Sequence, residues 1–172
     1  MRFPDVIVLN GPSSAGKSTL AKALQERLEA VYMHLSIDAF WGTLPQKAFA
    51  PEVIAEIGPP VITGFHRCLA ALAGSGNQII VDTVLTDPKW AKECVDLLRP
   101  YRPLYVRVCC PLAELERREQ ARGDRGIGSA RQQLSQIDLS VRHNLEVNTL
   151  EHSPAQCAEQ IWLHLASLPF LP

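Results

Sequence analysis

Two carboxylates, one lysine and a cluster of arginines in this chain have the types and spacing needed to move a phosphoryl group. Asp38 follows the strand-forming run Val31–Ser36, and Asp82 follows Ile79-Ile80-Val81. A carboxylate within hydrogen-bond reach of an acceptor hydroxyl can take its proton as the new bond to phosphorus forms. A carboxylate opposite a loop serine can hold Mg²⁺. By position Asp38 is a candidate for the base, Asp82 with Ser18 reads as the metal-side pair, and spacing alone lets the two aspartates exchange tasks. Asp38 could also simply cap a helix beginning at Ala39. Arg118 and Arg122 lie four residues apart, so on a helix they share a face. Gly123 then breaks the pattern, and Arg125 follows within Asp124-Arg125-Gly126-Ile127-Gly128. Arginine keeps its charge and grips phosphate bidentately, so Arg118 and Arg122 are expected on the nucleotide and Arg122 and Arg125 on the migrating phosphoryl group. Arg117 reads as a solvated residue with Glu114, Glu116 and Glu119 as partners.

The seat for that phosphate is explicit. Gly11-Pro12-Ser13-Ser14-Ala15-Gly16-Lys17-Ser18 matches Gly-x-x-x-x-Gly-Lys-Ser, between the apolar run Val6-Ile7-Val8-Leu9 and the helix-forming Thr19-Leu20-Ala21-Lys22-Ala23-Leu24-Gln25. Strand, loop and helix in that order are the setting in which this motif cradles a nucleoside triphosphate. Glycines at 11 and 16 allow a tight bend with inward-facing N–H groups, and the helix N-terminus adds its positive end. Lys17 reaches the β- and γ-phosphates, and the Ser18 hydroxyl can ligate Mg²⁺.

Strand and helix patterns alternate along the chain, which implies a parallel sheet covered by helices on both faces. Strands are expected at about 5–10, 31–36, 79–81, 104–109 and 145–148. Helices are expected at about 17–29, 61–73, 88–98, 111–122 and 154–168. Residues 39–60 hold Phe40, Trp41 and Phe49 among prolines 45, 51, 59 and 60, and read as an acceptor-side insertion or as short helices. Residues 118–130 read as an arginine-bearing lid. In such sheets ligands gather at the carboxyl ends of the strands, so Asn10, Asp38, Asp82 and Pro111 should converge.

The 172 residues, 47% hydrophobic and 20% charged, fit one domain with a buried core. A net charge of −1 argues against a nucleic-acid polymer as the main partner. Five cysteines without metal-ligand spacing fit free thiols in a reducing cytoplasm. No apolar stretch is long enough to span a membrane, and none of the five histidines has metal spacing.

The run Asn10–Ser18, then Ser36-Ile37-Asp38, Ile79–Val84, Arg118-Glu119-Gln120-Ala121-Arg122-Gly123-Asp124-Arg125 and Leu145-Glu146-Val147-Asn148-Thr149 resembles the chloramphenicol phosphotransferase family in order and over nearly the whole chain. The resemblance implies a three-layer P-loop kinase-like α/β fold with a central five-stranded parallel sheet. It also implies Mg²⁺-dependent transfer of the ATP γ-phosphate to a hydroxyl of a small molecule, an antibiotic in the family's resistance enzymes. Asp38 would be the general base, Arg122 and Arg125 the lid arginines, and Lys17 and Ser18 the nucleotide contacts. Asn148 stands where the family's late element has an aspartate. Other small acceptors, such as a nucleoside, a sugar nucleotide or a metabolite, fit the same residues, as does a non-catalytic nucleotide-gated binding protein.

Overall fold

A computed structural model describes residues 4–122, 128–137 and 141–168. Five strands form one parallel sheet: β1 (Val6–Asn10), β2 (Tyr32–Ser36), β3 (Gln78–Thr83), β4 (Leu104–Cys109) and β5 (Leu145–Asn148). Their order across the sheet is β2-β3-β1-β4-β5. All four pairings are parallel, with Leu9 opposite Asp82 and Val8 opposite Tyr105. Among the described residues the helices are α1 (Lys17–Arg27), α2 (Ile37–Trp41), α3 (Pro51–Gly74), α4 (Pro88–Leu98), α5 (Leu112–Arg122), α6 (Ser129–Gln136) and α7 (Pro154–Ser167).

Alternation along the strands builds two cores. Ile7, Leu9, Ile80, Val106 and Val108 face one side, where α1, α5 and α7 cover them. Val6, Val8, Ile79, Val81 and Tyr105 face the other, beneath α3 and α4. Successive strand side chains alternate faces, so Asp82 shares the side of Ile80 and meets α1. Asn10 shares the side of Val6 and Val8.

The segment 39–60 resolves into helix, with a correction to the expected boundaries. A short α2 is followed by a 3₁₀ turn, Gln46–Phe49, and then by α3, which begins at Pro51 and runs through Pro59 and Pro60. Interior prolines usually break a helix because each removes an N–H and crowds the carbonyl four residues back. Here those carbonyls belong to Ala55 and Glu56, both exposed, so water can take them. Pro51 occupies the first turn, where it costs nothing. The return helix α6 was not expected either, while β5 falls where the pattern placed it.

Gly11 has a packing reason as well as a conformational one. A Cβ there would stand 2.4 Å from the Val108 carbonyl oxygen, so the loop crosses β4 at a distance that only glycine permits. We therefore expect Gly11→Ala to cost about 1–3 kcal/mol. Thermal unfolding should show a melting temperature lower by roughly 3–10 °C.

Candidate active site

The phosphate loop is shaped by its backbone. Ser14 (φ 63°) and Gly16 (φ 86°) adopt left-handed conformations, the geometry that turns successive N–H groups toward one point. Ala15 N–H closes the turn onto the Pro12 carbonyl at 3.3 Å. Lys17, 7% exposed, folds back over the loop and donates from Nζ to the same carbonyl at 2.9 Å.

Beneath the loop lies Asp82, 1% exposed. The Ser18 hydroxyl donates to its Oδ2 at 2.5 Å, and Lys17 Nζ stands 3.7 Å from its Oδ1. His34, on β2, places Nε2 3.7 Å from Oδ2, and that nitrogen has no hydrogen-bond partner among the described residues. Burial pushes the Asp82 carboxyl up, but His34, Lys17 and Ser18 together pull it below the ordinary aspartate range, so it is ionised at neutral pH. An ionised carboxylate beside a serine hydroxyl is a pair of hard oxygen donors, which suits Mg²⁺. His34 had not been singled out in the sequence, because a lone histidine in a strand carries no spacing signal.

Asp38 does not cap its helix. Ser36 does, accepting from the Asp38 N–H at 3.2 Å. Asp38 lines a cavity of about 300 Å³ with Ser13, Ser14, Gly16, Lys17, Ser18, Thr19 and Arg122. A second cavity of about 410 Å³ shares Ser14, Gly16, Thr19 and Arg122 with the first and extends to Leu20, Arg118, Thr149 and Pro154. The expected site residues Ser13, Ser14, Gly16, Lys17, Ser18, Thr19, Asp38, Arg118 and Arg122 thus line these two adjoining spaces, while Ala15 of the same loop is buried in the core. Gly11 and Pro12 form the loop's base, and Arg125 lies outside the described residues.

Arg118 is engaged with protein on all three guanidinium nitrogens. It donates to Glu114 (2.7 Å), the Thr149 hydroxyl (3.1 Å) and carbonyl (3.0 Å), and the Ser14 carbonyl (3.4 Å). It thereby braces the loop against the turn after β5. The Arg117 and Arg118 guanidiniums hold the Glu114 carboxyl down at about 2. Glu119 corrects the expectation of a solvated partner: it is 2% exposed, and its carboxylate accepts from the N–H groups of Gly128 (2.8 Å) and Ala130 (2.9 Å) at the start of α6. From α6, the Gln133 side-chain oxygen accepts from Ser13 N–H at 2.6 Å. Neither contact has a local sequence signal.

On the opposite face of the sheet, Asn10 Oδ1 accepts from Leu85 N–H at 2.9 Å, which fixes the amide orientation and turns Nδ2 toward His143 Nε2 at 3.2 Å. The amide can only donate, so His143 Nε2 must accept, as a neutral ring protonated on Nδ1.

Comparison with known proteins bears on this geometry. Residues 4–166 match the model of the chloramphenicol phosphotransferase-like proteins. The chain belongs to that family. A Mycobacterium tuberculosis protein named "Putative O-phosphotransferase" is 27% identical over 188 residues, covering 96% of this chain and 84% of its own. Among solved structures, the M. tuberculosis APS kinase CysC in complex with AMPPNP and APS superposes with a TM-score of 0.69 at 17% identity, covering 97% of this chain and 100% of that one. A gluconokinase from Sinorhizobium meliloti gives 0.68 at 20% identity, with 96% and 94% covered. Shikimate kinase from Acinetobacter baumannii in complex with shikimate gives 0.66 at 19%, again covering 96% and 94%. The fold is that of the P-loop kinases, and the chain is a phosphotransferase of the kinase type.

Burial, with Arg107 nearby, lowers the His143 pKa below its ordinary value despite Glu146. The unfolded chain therefore takes up this proton first as pH falls, so the stability present above about pH 6.5 is lost as pH drops through the folded value. His66, also held low by burial although it pairs with Glu93, contributes in the same direction. Melting temperature measured from pH 7.5 to 5 should fall less steeply in His143→Gln than in the unsubstituted chain, with part of the slope remaining through His66.

Proposed function

We propose that this protein transfers the γ-phosphate of ATP to a hydroxyl of a small molecule, with Asp38 as the general base. The observation that supports the reading is that Asp38 lines the same cavity as the phosphate loop and Lys17. The adjoining cavity beside Arg118, Thr149 and Pro154 is the place for the nucleoside, which directs the triphosphate along the loop toward Asp38. Loop N–H groups and the α1 N-terminus hold the phosphates, and Lys17 serves their β and γ oxygens. Ser18 and Asp82 would hold Mg²⁺, which supplies charge neutralisation on those oxygens. That leaves Asp38 to receive the acceptor proton, because Asp82 is buried against Ser18. Arg122, and Arg125 by its place in the family motif, would meet charge on the phosphoryl group in flight.

Helix α2, which carries Asp38, is tied to α3 by core packing: Phe40 meets the buried Phe65 at 5.4 Å between ring centroids, and Trp41 lies over Gly58. The family and the free thiols of all five cysteines suit an enzyme of the cytoplasm.

Two substitutions separate binding from chemistry. Lys17→Ala should weaken binding of a non-hydrolysable ATP analogue by about tenfold or more, the loss of one charge-assisted contact. Asp38→Asn should leave that affinity within about threefold yet lower the rate of phosphoryl transfer by roughly 10²–10⁴. Calorimetric titration and an ATP-dependent screen of hydroxylated acceptors would measure both. Near-normal transfer by Asp38→Asn would remove the base assignment.

A further inference from the structure

The phosphate loop is also gripped from a side that plays no part in the proposed chemistry. The peptide unit joining Pro12 to Ser13 presents its carbonyl oxygen to the Lys17 ammonium at 2.9 Å and its N–H to Gln133 Oε1 at 2.6 Å. A peptide unit is planar and stiff. Rotating the N–H away from Gln133 therefore rotates the carbonyl away from Lys17.

Gln133 sits on a helix whose place is set elsewhere. The buried Glu119 carboxylate holds the first turn of α6 through two backbone N–H groups. Ala130 is fully buried, Leu134 packs on the core that covers α1, and Arg131 pairs with Glu116 at 2.8 Å. Helix α6 is thus a post anchored to α5 and the core. Only the oxygen of the Gln133 amide can accept from an N–H, so the amide's orientation follows from the contact. Ser13 is 1% exposed, which leaves little room for water to replace Gln133.

We propose that Gln133 is a positioning residue for ATP: by holding the Pro12–Ser13 peptide plane it sets where the Lys17 ammonium stands, and so sharpens the loop's preference for a triphosphate over a diphosphate. The inference rests on reading the loop as the seat of ATP. Lysine at this position serves the β- and γ-phosphates, whereas the loop's N–H groups and the helix end serve the rest. Loosening Lys17 therefore costs the terminal phosphate most.

The test compares Gln133→Leu with the unsubstituted chain in binding a non-hydrolysable ATP analogue and ADP, each with Mg²⁺, by calorimetry. Affinity for the analogue should fall about tenfold, the scale of one lost hydrogen bond, and affinity for ADP less than about threefold. The Ser13 amide should lose protection from hydrogen exchange. Gln133→Ala, which also favours helix, serves where the leucine variant is unstable and should give the same split. An unchanged ratio of the two affinities, whether both fall together or neither does, overturns the proposal and leaves Gln133 a structural contact. An unsubstituted chain that binds neither nucleotide overturns the ATP reading and this inference with it.

Discussion

A carboxylate buried beneath an anion-binding loop is the constraint around which this site is arranged. Removing the Asp82 charge from water is costly unless donors and opposite charge meet it, and the start of α1 supplies both: the Ser18 hydroxyl donates to the carboxylate and the Lys17 ammonium stands 3.7 Å away, with His34 of β2 at the same distance on the other oxygen. Meeting that need also fixes the register of the loop over the sheet, because Lys17 and Ser18 are the residues that close the loop. The ammonium lies between the Pro12 carbonyl and Asp82, so its place is defined by the protein's own acceptors. A loop built this way presents its donors in advance, which lowers the reorganisation required when charge moves.

The direction of the site follows from what flanks the loop. On one side, Arg118 ties Ser14 to Thr149 and forms a wall of the larger cavity. On the other, α2 carries Asp38 to the smaller cavity, and because Ser36 performs the capping, the aspartate is spared that duty. A nucleotide laid from the first space to the second ends with its terminal phosphate nearest Asp38.

Much of this was legible in the sequence, for a physical reason. The phosphate loop, its flanking strand and helix, and β5 at 145–148 are specified by short-range pattern. The strand ends that carry Asn10 and Asp82 are equally local. What escaped notice depends on partners distant in sequence. Gln133 meets Ser13 across 120 residues, and His143 meets Asn10 across 133. Glu119 looks like one more charge on a polar helix until α6 folds back onto it. Pro59 and Pro60 misled in the opposite sense: their local signal is to stop a helix, and an exposed outer face let α3 pass through them.

A crystal structure of the chain with a non-hydrolysable ATP analogue and Mg²⁺ tests the central claim most directly. The account predicts the terminal phosphate in the cavity bounded by the loop and Asp38, with the carboxylate facing phosphorus across a space wide enough for one hydroxyl oxygen. A triphosphate running the other way, or an Asp38 side chain turned out of that space, would contradict it.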